Sequence, residues 1–464
     1  MDEDLPMVPV NVNQLATIIK GNVLSGKDTS IISGVGIDSR TIQRGDVFFA
    51  IQGDRFDGHH YVTKAIDNGA NCVVVERQID IPDAAAVIRV DDTIKALGMF
   101  AKWYRQQIPA KVIAITGSVG KTTTRNILHQ ILSRFYKCRQ APKSFNNHIG
   151  LPLTVLSAQP QDEILLLELG SNHPGEIQYL TEIARPDIAV VTCITHAHLE
   201  GFGTVDAILR EKASIALGLS SDGILIINGD QPELVDYVRV AYDLDTVTVG
   251  TGRDCDVVGT DMRTRGANGS VDIDGQVINV PLAGKASLRN VLFAWAVCRE
   301  FILLADFIKA AESLQPSESR LVPVTMGSLL VLDDCYNANP ASMANALYCL
   351  RSIADESGRR SVFIAGSMAE LGPESERLHE KLGRNAAVCQ VKVILSAGPF
   401  SENILQGAGN VATYPLEVQA FENTEQLCDN LHKWIDPDDI ILVKGSRSAH
   451  LEKAVERLKE LFCK

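Results

Sequence analysis

Residues 112–125 read Val-Ile-Ala-Ile-Thr-Gly-Ser-Val-Gly-Lys-Thr-Thr-Thr-Arg, an apolar strand that breaks at 117–122 and runs on into a helix. Small residues at such a break let backbone N–H groups close around phosphate oxygens, and the helix that follows turns its positive end toward them. Lys121 adds a mobile cation and the Thr122 hydroxyl a magnesium ligand, so the stretch reads as a cradle for a nucleoside triphosphate. The spacing departs from the general phosphate-loop form. Ile115 stands where the first glycine of that form would fall, leaving the compact pattern Thr-Gly-Ser-x-Gly-Lys-Thr-Thr. The competing reading is a plain Gly-rich turn with a buried or solvated lysine.

Working outward, apolar segments at 112–116, 164–169, 188–194 and 223–227 alternate with amphipathic helical stretches, which predicts a parallel sheet covered by helices. Residues 247–282 are richer in Gly, Thr and alternating Val/Ile and predict an antiparallel insert before a helix at 287–301. Before the phosphate loop, short strands at 47–52, 72–76 and 86–90 and a helix at 92–107 suggest a small α/β module. After a linker at 315–319 the pattern restarts with strands at 329–332, 361–364, 393–396 and 440–443, as in a doubly wound, Rossmann-like domain. A chain of 464 residues exceeds what one hydrophobic core sustains. The expectation is therefore an α/β protein of three domains: a small N-terminal α/β domain at 1–110, a central P-loop parallel-sheet domain at 111–316 and the doubly wound domain at 317–464.

Hydrophobic residues at 45% and charged residues at 22% are ordinary for a soluble protein. With no apolar run of about 18 residues, no membrane span is expected. The acidic start Met1-Asp2-Glu3-Asp4 is unlike a secretory signal, so a cytoplasmic protein is expected. Ten cysteines without a Cys-x-x-Cys pair, three of them (Cys72, Cys193, Cys298) inside apolar runs, favour reduced thiols. A net charge of −13 argues against nucleic acid as a partner. Anionic substrates must then be met by local cations.

Glu168 is the lone acid at the end of an apolar strand, where an α/β sheet faces its ligand crevice. It is a candidate magnesium ligand, with helix capping as the alternative. The stretch Ile194-Thr-His-Ala-His-Leu-Glu-Gly-Phe-Gly lies at another such end. His198 there is a candidate metal or phosphate contact, whereas His196 reads as exposed. Lys212, in a helical segment, reads on these grounds as a solvated lysine.

Four blocks together, residues 116–124, 144–154 (Ser-Phe-Asn-Asn-His-Ile-Gly-Leu-Pro-Leu-Thr), 168–177 (Glu-Leu-Gly-Ser-Asn-His-Pro-Gly-Glu-Ile) and 197–203 (Ala-His-Leu-Glu-Gly-Phe-Gly), resemble the Mur ligases of peptidoglycan synthesis. The likeness extends through Asp38-Ser-Arg, Gly45-Asp-Val-Phe-Phe-Ala, Arg55-Phe-Asp-Gly-His, Asp333-Asp-Cys-Tyr-Asn-Ala-Asn-Pro and Lys444-Gly-Ser-Arg-Ser, covering essentially the whole chain. It is strongest toward the type that adds D-alanyl-D-alanine to UDP-N-acetylmuramoyl-tripeptide. The resemblance implies ATP-dependent ligation by a monomer, with those two molecules as partners and two Mg2+ sites.

By that resemblance Gly117, Ser118, Val119, Gly120, Lys121, Thr122 and Thr123 hold the ATP phosphates, and Thr122 and Glu168 ligand one magnesium. His198 helps hold a second, together with Lys212, which matches a lysine that the family carbamylates; Lys121, Lys212 and His198 are thus the implied catalytic set. Asn290 corresponds to an adenine reader, Arg320 to a nucleotide contact and Asp334 to a ribose ligand. Ser39, Arg40, Phe56, Asp57, Gly58 and His59 match the region gripping the uridine diphosphate end. Asn146, Asn147, Asn337 and Asn339 match substrate-binding positions, and Lys444, Ser446 and Arg447 those meeting the dipeptide carboxylate. The chain departs from the family pattern at Ala286 and Ser287, where His-Asn is usual, and at Ser367, where aspartate is usual. Two rival readings follow: a sister ligase adding another residue, and a nucleotide-binding scaffold without turnover.

Overall fold

The computed structural model describes residues 7–26, 30–53, 56–79 and 85–463. Arg55 and the acidic start at residues 1–4 lie outside them. Three large sheets, all flanked by helices, make an α/β protein of three domains. Among the described residues no helix is long and apolar enough to cross a membrane, and all ten cysteines are free.

The N-terminal sheet has five strands in the order Asn22–Ser25, Ala86–Arg89, Cys72–Val75, Asp46–Phe49, Gly34–Gly36, with the first antiparallel to its neighbour and the others parallel. The run Cys-Val-Val-Val at Cys72–Val75 is wholly buried, as a strand covered on both faces must be. Asp92 caps the helix Thr93–Arg105 by accepting from the Lys95 N–H. That helix packs against Gly150–Leu156 and Glu176–Ala184 of the next domain. Tyr104 seals the contact: its hydroxyl, wholly buried, donates to the Ala158 carbonyl at 2.6 Å and accepts from the Val8 N–H at 3.1 Å.

The middle sheet has nine strands, and Lys111–Thr116 lies inside it between Ile188–Val191 and Ile164–Glu168. The chain leaves Lys111–Thr116 toward one edge and later returns to build the other. The carboxyl ends of these strands therefore open on a topological switch point, where α/β sheets bind ligands. One expectation is corrected here. The segment Asp245–Gly250 pairs parallel with Ile224–Asn228 and belongs to the main sheet, because helix Pro232–Ala241 carries the chain back to the same edge. Only Val257–Arg265, Asn268–Ile273 and Gln276–Val280 form the antiparallel part.

The C-terminal sheet runs Val322–Met326, Leu329–Asp333, Ile440–Lys444, Ser361–Gly366, Val393–Ala397, Glu417–Phe421, parallel except for the first pair. Its two edge strands have no apolar run of their own. Val322–Met326 carries Pro323, which an edge tolerates, and Glu417–Phe421 is mostly exposed. Helices Ser375–Val388 and Ser401–Gly409 touch backbone to backbone through Gly383 and Gly407. A Cβ on Gly383 would stand 1.8 Å from the Ile404 carbonyl oxygen. Gly383→Ala is therefore expected to lower stability by about 1–3 kcal/mol even though alanine is the better helix former, as measured by urea unfolding.

Candidate functional site

The phosphate loop leaves strand Lys111–Thr116 and ends at helix Lys121–Leu132. Ile115 is wholly buried within the strand, which runs on through Thr116, so the loop begins only at Gly117, two residues past the first glycine position of the longer form. Gly117 (φ +140°) and Gly120 (φ +91°) are both required: a Cβ on the first would meet Thr192 Oγ1 at 2.2 Å, and on the second Asn290 Oδ1 at 2.6 Å. Lys121 Nζ folds back to donate to the Gly117 carbonyl at 2.7 Å. Burial pushes its ammonium downward against the pull of Glu168.

Glu168 is buried and caps no helix, which sets aside the capping alternative; Gly175 occupies the N-cap of the next one. Its carboxylate accepts from Thr122 Oγ1 and from Asn146 Nδ2, each at 2.8 Å, with Arg125 Nη1 at 3.7 Å. Arg320 reaches the same hydroxyl from the C-terminal domain, Nη2 to Thr122 Oγ1 at 3.1 Å, while lying over the Tyr336 ring. The pairing of a hydroxyl with a carboxylate at a phosphate cradle suits a hard cation such as magnesium. Among the described residues no three His, Cys, Asp or Glu side chains converge as a preformed metal centre.

Lys212 overturns the solvated reading. It is wholly buried in helix Val205–Ala213, its Nζ donating to Ser171 Oγ at 2.7 Å beside the Phe202 ring. Burial, reinforced by the charge of Lys121, pushes its ammonium down to about 7. Its neighbour Glu211 accepts from the Gly175 and Ile177 N–H groups at 2.7 and 2.8 Å. His198 adopts a left-handed backbone (φ +56°) ahead of Leu199–Phe202, and its Nδ1 meets the Glu370 carboxylate of the C-terminal domain. His196 is exposed.

Across the cleft, Asp334 and Lys444 are buried against each other, Nζ to Oδ2 at 2.7 Å, and Lys444 also donates to the Asn337 carbonyl at 2.9 Å. Burial raises the Asp334 carboxyl while Lys444 opposes it. Lys444 thus presents no free ammonium; Arg447 is largely exposed, with its Nη1 3.8 Å from Glu452 Oε1. Ser446 Oγ lies 3.1 Å from Ser448 Oγ. Asn147 and Asn339 spend their side-chain oxygens on the Gly150 and Ser342 N–H groups, and Asn337 accepts from the Ala338 N–H.

A cleft of about 1830 Å³ between the middle and C-terminal domains brings together Ser118–Thr123, Asn146, Asn147, Glu168, His198, Asn290, Arg320, Asp334, Asn337, Asn339, Lys444, Ser446 and Arg447. Gly117 and Lys212 lie beneath its floor. The N-terminal residues are not among its walls. Arg40 pairs with Asp38 at 2.6 Å, Ser39 is buried with its carbonyl bound by Asn68, Gly58 opens the turn Gly58–Tyr61, and Phe56 is exposed. Asp57 binds His59 Nδ1 at 2.7 Å and Arg77 at 2.6 Å. The Glu76 N–H donates to His59 Nε2, which leaves the ring hydrogen on Nδ1. Sequence reasoning missed Ser171, Tyr336 and Glu370; the first two stand inside blocks quoted for other residues, and Glu370 lies three residues after Ser367.

Residues 31–105, 115–298 and 319–447 match the family models described as Mur ligase family, catalytic domain; Mur ligase middle domain; and Mur ligase, glutamate ligase domain. The UDP-N-acetylmuramoyl-tripeptide–D-alanyl-D-alanine ligases of Bacillus subtilis (strain 168) and Escherichia coli (strain K12) are 33% and 34% identical, each across 98% of this chain and 99% of its own length. A crystal structure of MurF from Acinetobacter baumannii superposes with a TM-score of 0.89 at 31% identity, covering 98% of this chain and 100% of the other. MurF from Thermotoga maritima in complex with ADP gives 0.81 at 26%, covering 92% and 97%.

The buried Lys212 amine makes stability depend on pH with a definite sign. Between its folded value of about 7 and the ordinary lysine value of 10.5, the unfolded chain binds a proton that the folded one lacks. Stability gained from this group therefore rises with pH in that window, by at most about 1.4 kcal/mol per pH unit, and levels off below pH 7 where both states are protonated. In CO2-free buffer, urea unfolding at pH 7, 8 and 9 should show wild type gaining on Lys212→Met as pH rises.

Proposed function

The chain belongs to the Mur ligase family, and we propose that it joins D-alanyl-D-alanine to UDP-N-acetylmuramoyl-tripeptide at the expense of ATP, as a monomer in the cytoplasm. The observation that carries this reading is the convergence, at one two-domain cleft, of the phosphate loop and the Thr122–Glu168 pair, with the buried amine of Lys212 behind the lining residue Ser171.

The phosphate-loop N–H groups and Lys121 receive the β- and γ-phosphates, with Asn290, Arg320 and Asp334 toward the nucleoside. The tripeptide carboxylate attacks the γ-phosphorus; the phosphorus–oxygen bond to ADP breaks, leaving an acyl phosphate. The dipeptide amine then attacks the acyl carbon, loses a proton, and inorganic phosphate departs. A carboxylate alone is a poor electrophile, so this activation is what makes the amide bond accessible. Thr122 and Glu168 would hold one Mg2+, and His198 with a carbamylated Lys212 a second. Bound magnesium would neutralise charge on the transferring phosphoryl group.

Lys212 suits carbamylation because burial pushes its ammonium down to about 7, so that about half of the amine is unprotonated and able to attack CO2 at neutral pH. The new N–C bond forms as a proton leaves, turning a buried cation into an anionic metal ligand. Ser39, Arg40 and the Phe56–Asp57–Gly58–His59 turn take the uridine diphosphate end. Asn146, Asn147, Asn337 and Asn339 line the path of the peptide, and Arg447 with Ser446, backed by Lys444, meets the dipeptide carboxylate.

Phosphate release that requires both the UDP-muramoyl-tripeptide and D-alanyl-D-alanine tests the proposal; release with another amine acceptor but not this one would make the chain a sister ligase. Lys121→Ala should cut turnover roughly 100-fold or more by deleting the cation aimed at the phosphoryl group. In Arg447→Ala, loss of a charge-assisted contact contributing about 1.5–3 kcal/mol should raise KM for the dipeptide roughly 10- to 150-fold and leave KM for ATP nearly unchanged, in steady-state assays.

A further inference from the structure

His198 is held from outside its own domain. Its Nδ1 faces the Glu370 carboxylate, its Nε2 has no protein partner among the described residues, and its side chain borders the cleft. With a carboxylate at Nδ1, the ring hydrogen sits there and the Nε2 lone pair is left for the cleft. Carboxylates and carbonyls on the far nitrogen are how proteins orient imidazoles toward metals and raise their basicity. We propose that Glu370 is a positioning residue for His198, so that the second metal position is completed only when the C-terminal domain is seated on the middle domain. The proposal rests on the metal role assigned above to His198.

Three further observations show that the contact is built. His198 and Glu370 both adopt left-handed backbone, φ +56° and +61°, an unfavourable state for non-glycine residues that surrounding structure must enforce. The two backbones are tied directly, the Glu200 N–H donating to the Glu370 carbonyl at 3.2 Å. And the loop bearing Glu370 is clamped from behind by a wholly buried histidine. His379 accepts the Met368 N–H on Nε2 at 2.8 Å, donates from Nδ1 to the Ser375 carbonyl at 2.6 Å, and stacks on Phe400 with ring centroids 4.4 Å apart. The carbonyl of Ser367 is fixed in turn by the Ser446 N–H at 3.0 Å, linking the loop to the segment proposed for the dipeptide.

The test is Mn2+ binding, read by the electron paramagnetic resonance of the free ion, in the full-length protein with a non-hydrolysable ATP analogue and bicarbonate. Glu370→Ala should weaken the looser of two Mn2+ positions about 10- to 100-fold and leave the tighter one, at Thr122 and Glu168, within about twofold. Glu370→Gln, whose amide oxygen still accepts from Nδ1, should lose less. Unchanged affinity at both positions in Glu370→Ala overturns the proposal. So does equal loss at both with a lower thermal midpoint, which would mark Glu370 as a residue of general stability. Acceptor-dependent phosphate release by wild type reads the functional proposal separately, so failure of one is distinguishable from failure of the other.

Discussion

The cleft is organised around a buried negative charge. A carboxylate removed from water costs several kcal/mol unless its oxygens are satisfied, and Glu168 is satisfied from two separate segments: Thr122 and Arg125 of helix Lys121–Leu132, and Asn146 of a later loop. Each of those contacts fixes something else. Thr122 fixes the first turn after the phosphate loop, Asn146 the loop that precedes helix Gly150–Leu156, and through the Thr122 hydroxyl the C-terminal Arg320 is drawn in. Removing the carboxylate would leave Arg125 and Lys121 as unopposed cations in a buried site. The geometry of the phosphate cradle and the position of a second domain thus depend on one side chain at the end of one strand.

An acidic chain has collected its cations where they matter. With a net charge of −13 the surface repels anions at long range, yet Lys121, Lys212, Arg125, Arg320 and Lys444 all lie at or under the cleft, several of them buried. Their charge is only partly matched by Glu168 and Asp334. Such a site favours a polyanion over a neutral ligand, and Lys212 relieves the strain by giving up its proton near neutrality.

Much of this was legible in the sequence because the signals were local. The strand–loop–helix at 112–125 and the acid at the end of 164–168 follow from the order of residue types alone. What was hidden depends on chain segments far apart. Lys212 reads as solvated because its helix has a polar face, and only the packing of Phe202 and Ser171 around it makes it a buried amine. Lys444 reads as free because Asp334 lies 110 residues earlier. Glu370 has no signature at all, since its partner belongs to another domain. The edge strands at Val322–Met326 and Glu417–Phe421 were missed for a related reason: with one neighbour each, they need no apolar run.

The joint at Tyr104 bears on how such a molecule opens. Its hydroxyl is committed at both ends inside a dry contact, and the bond that crosses the joint is the one to the Ala158 carbonyl, so any slide that kept water out would leave a buried donor and acceptor unpaired. The ties to the C-terminal domain include Asn126 to Ser317, Tyr336 to Ser144 and Arg265 to Glu356, polar contacts that water can take over. By these contacts the joint between the first two domains is costlier to part than the polar ties that hold the third. The stretch at 315–321 that leads into the third domain has no strand of its own; there Ser319 and Leu321 hold left-handed backbone, and Arg320 between them touches Thr122 just past the phosphate loop.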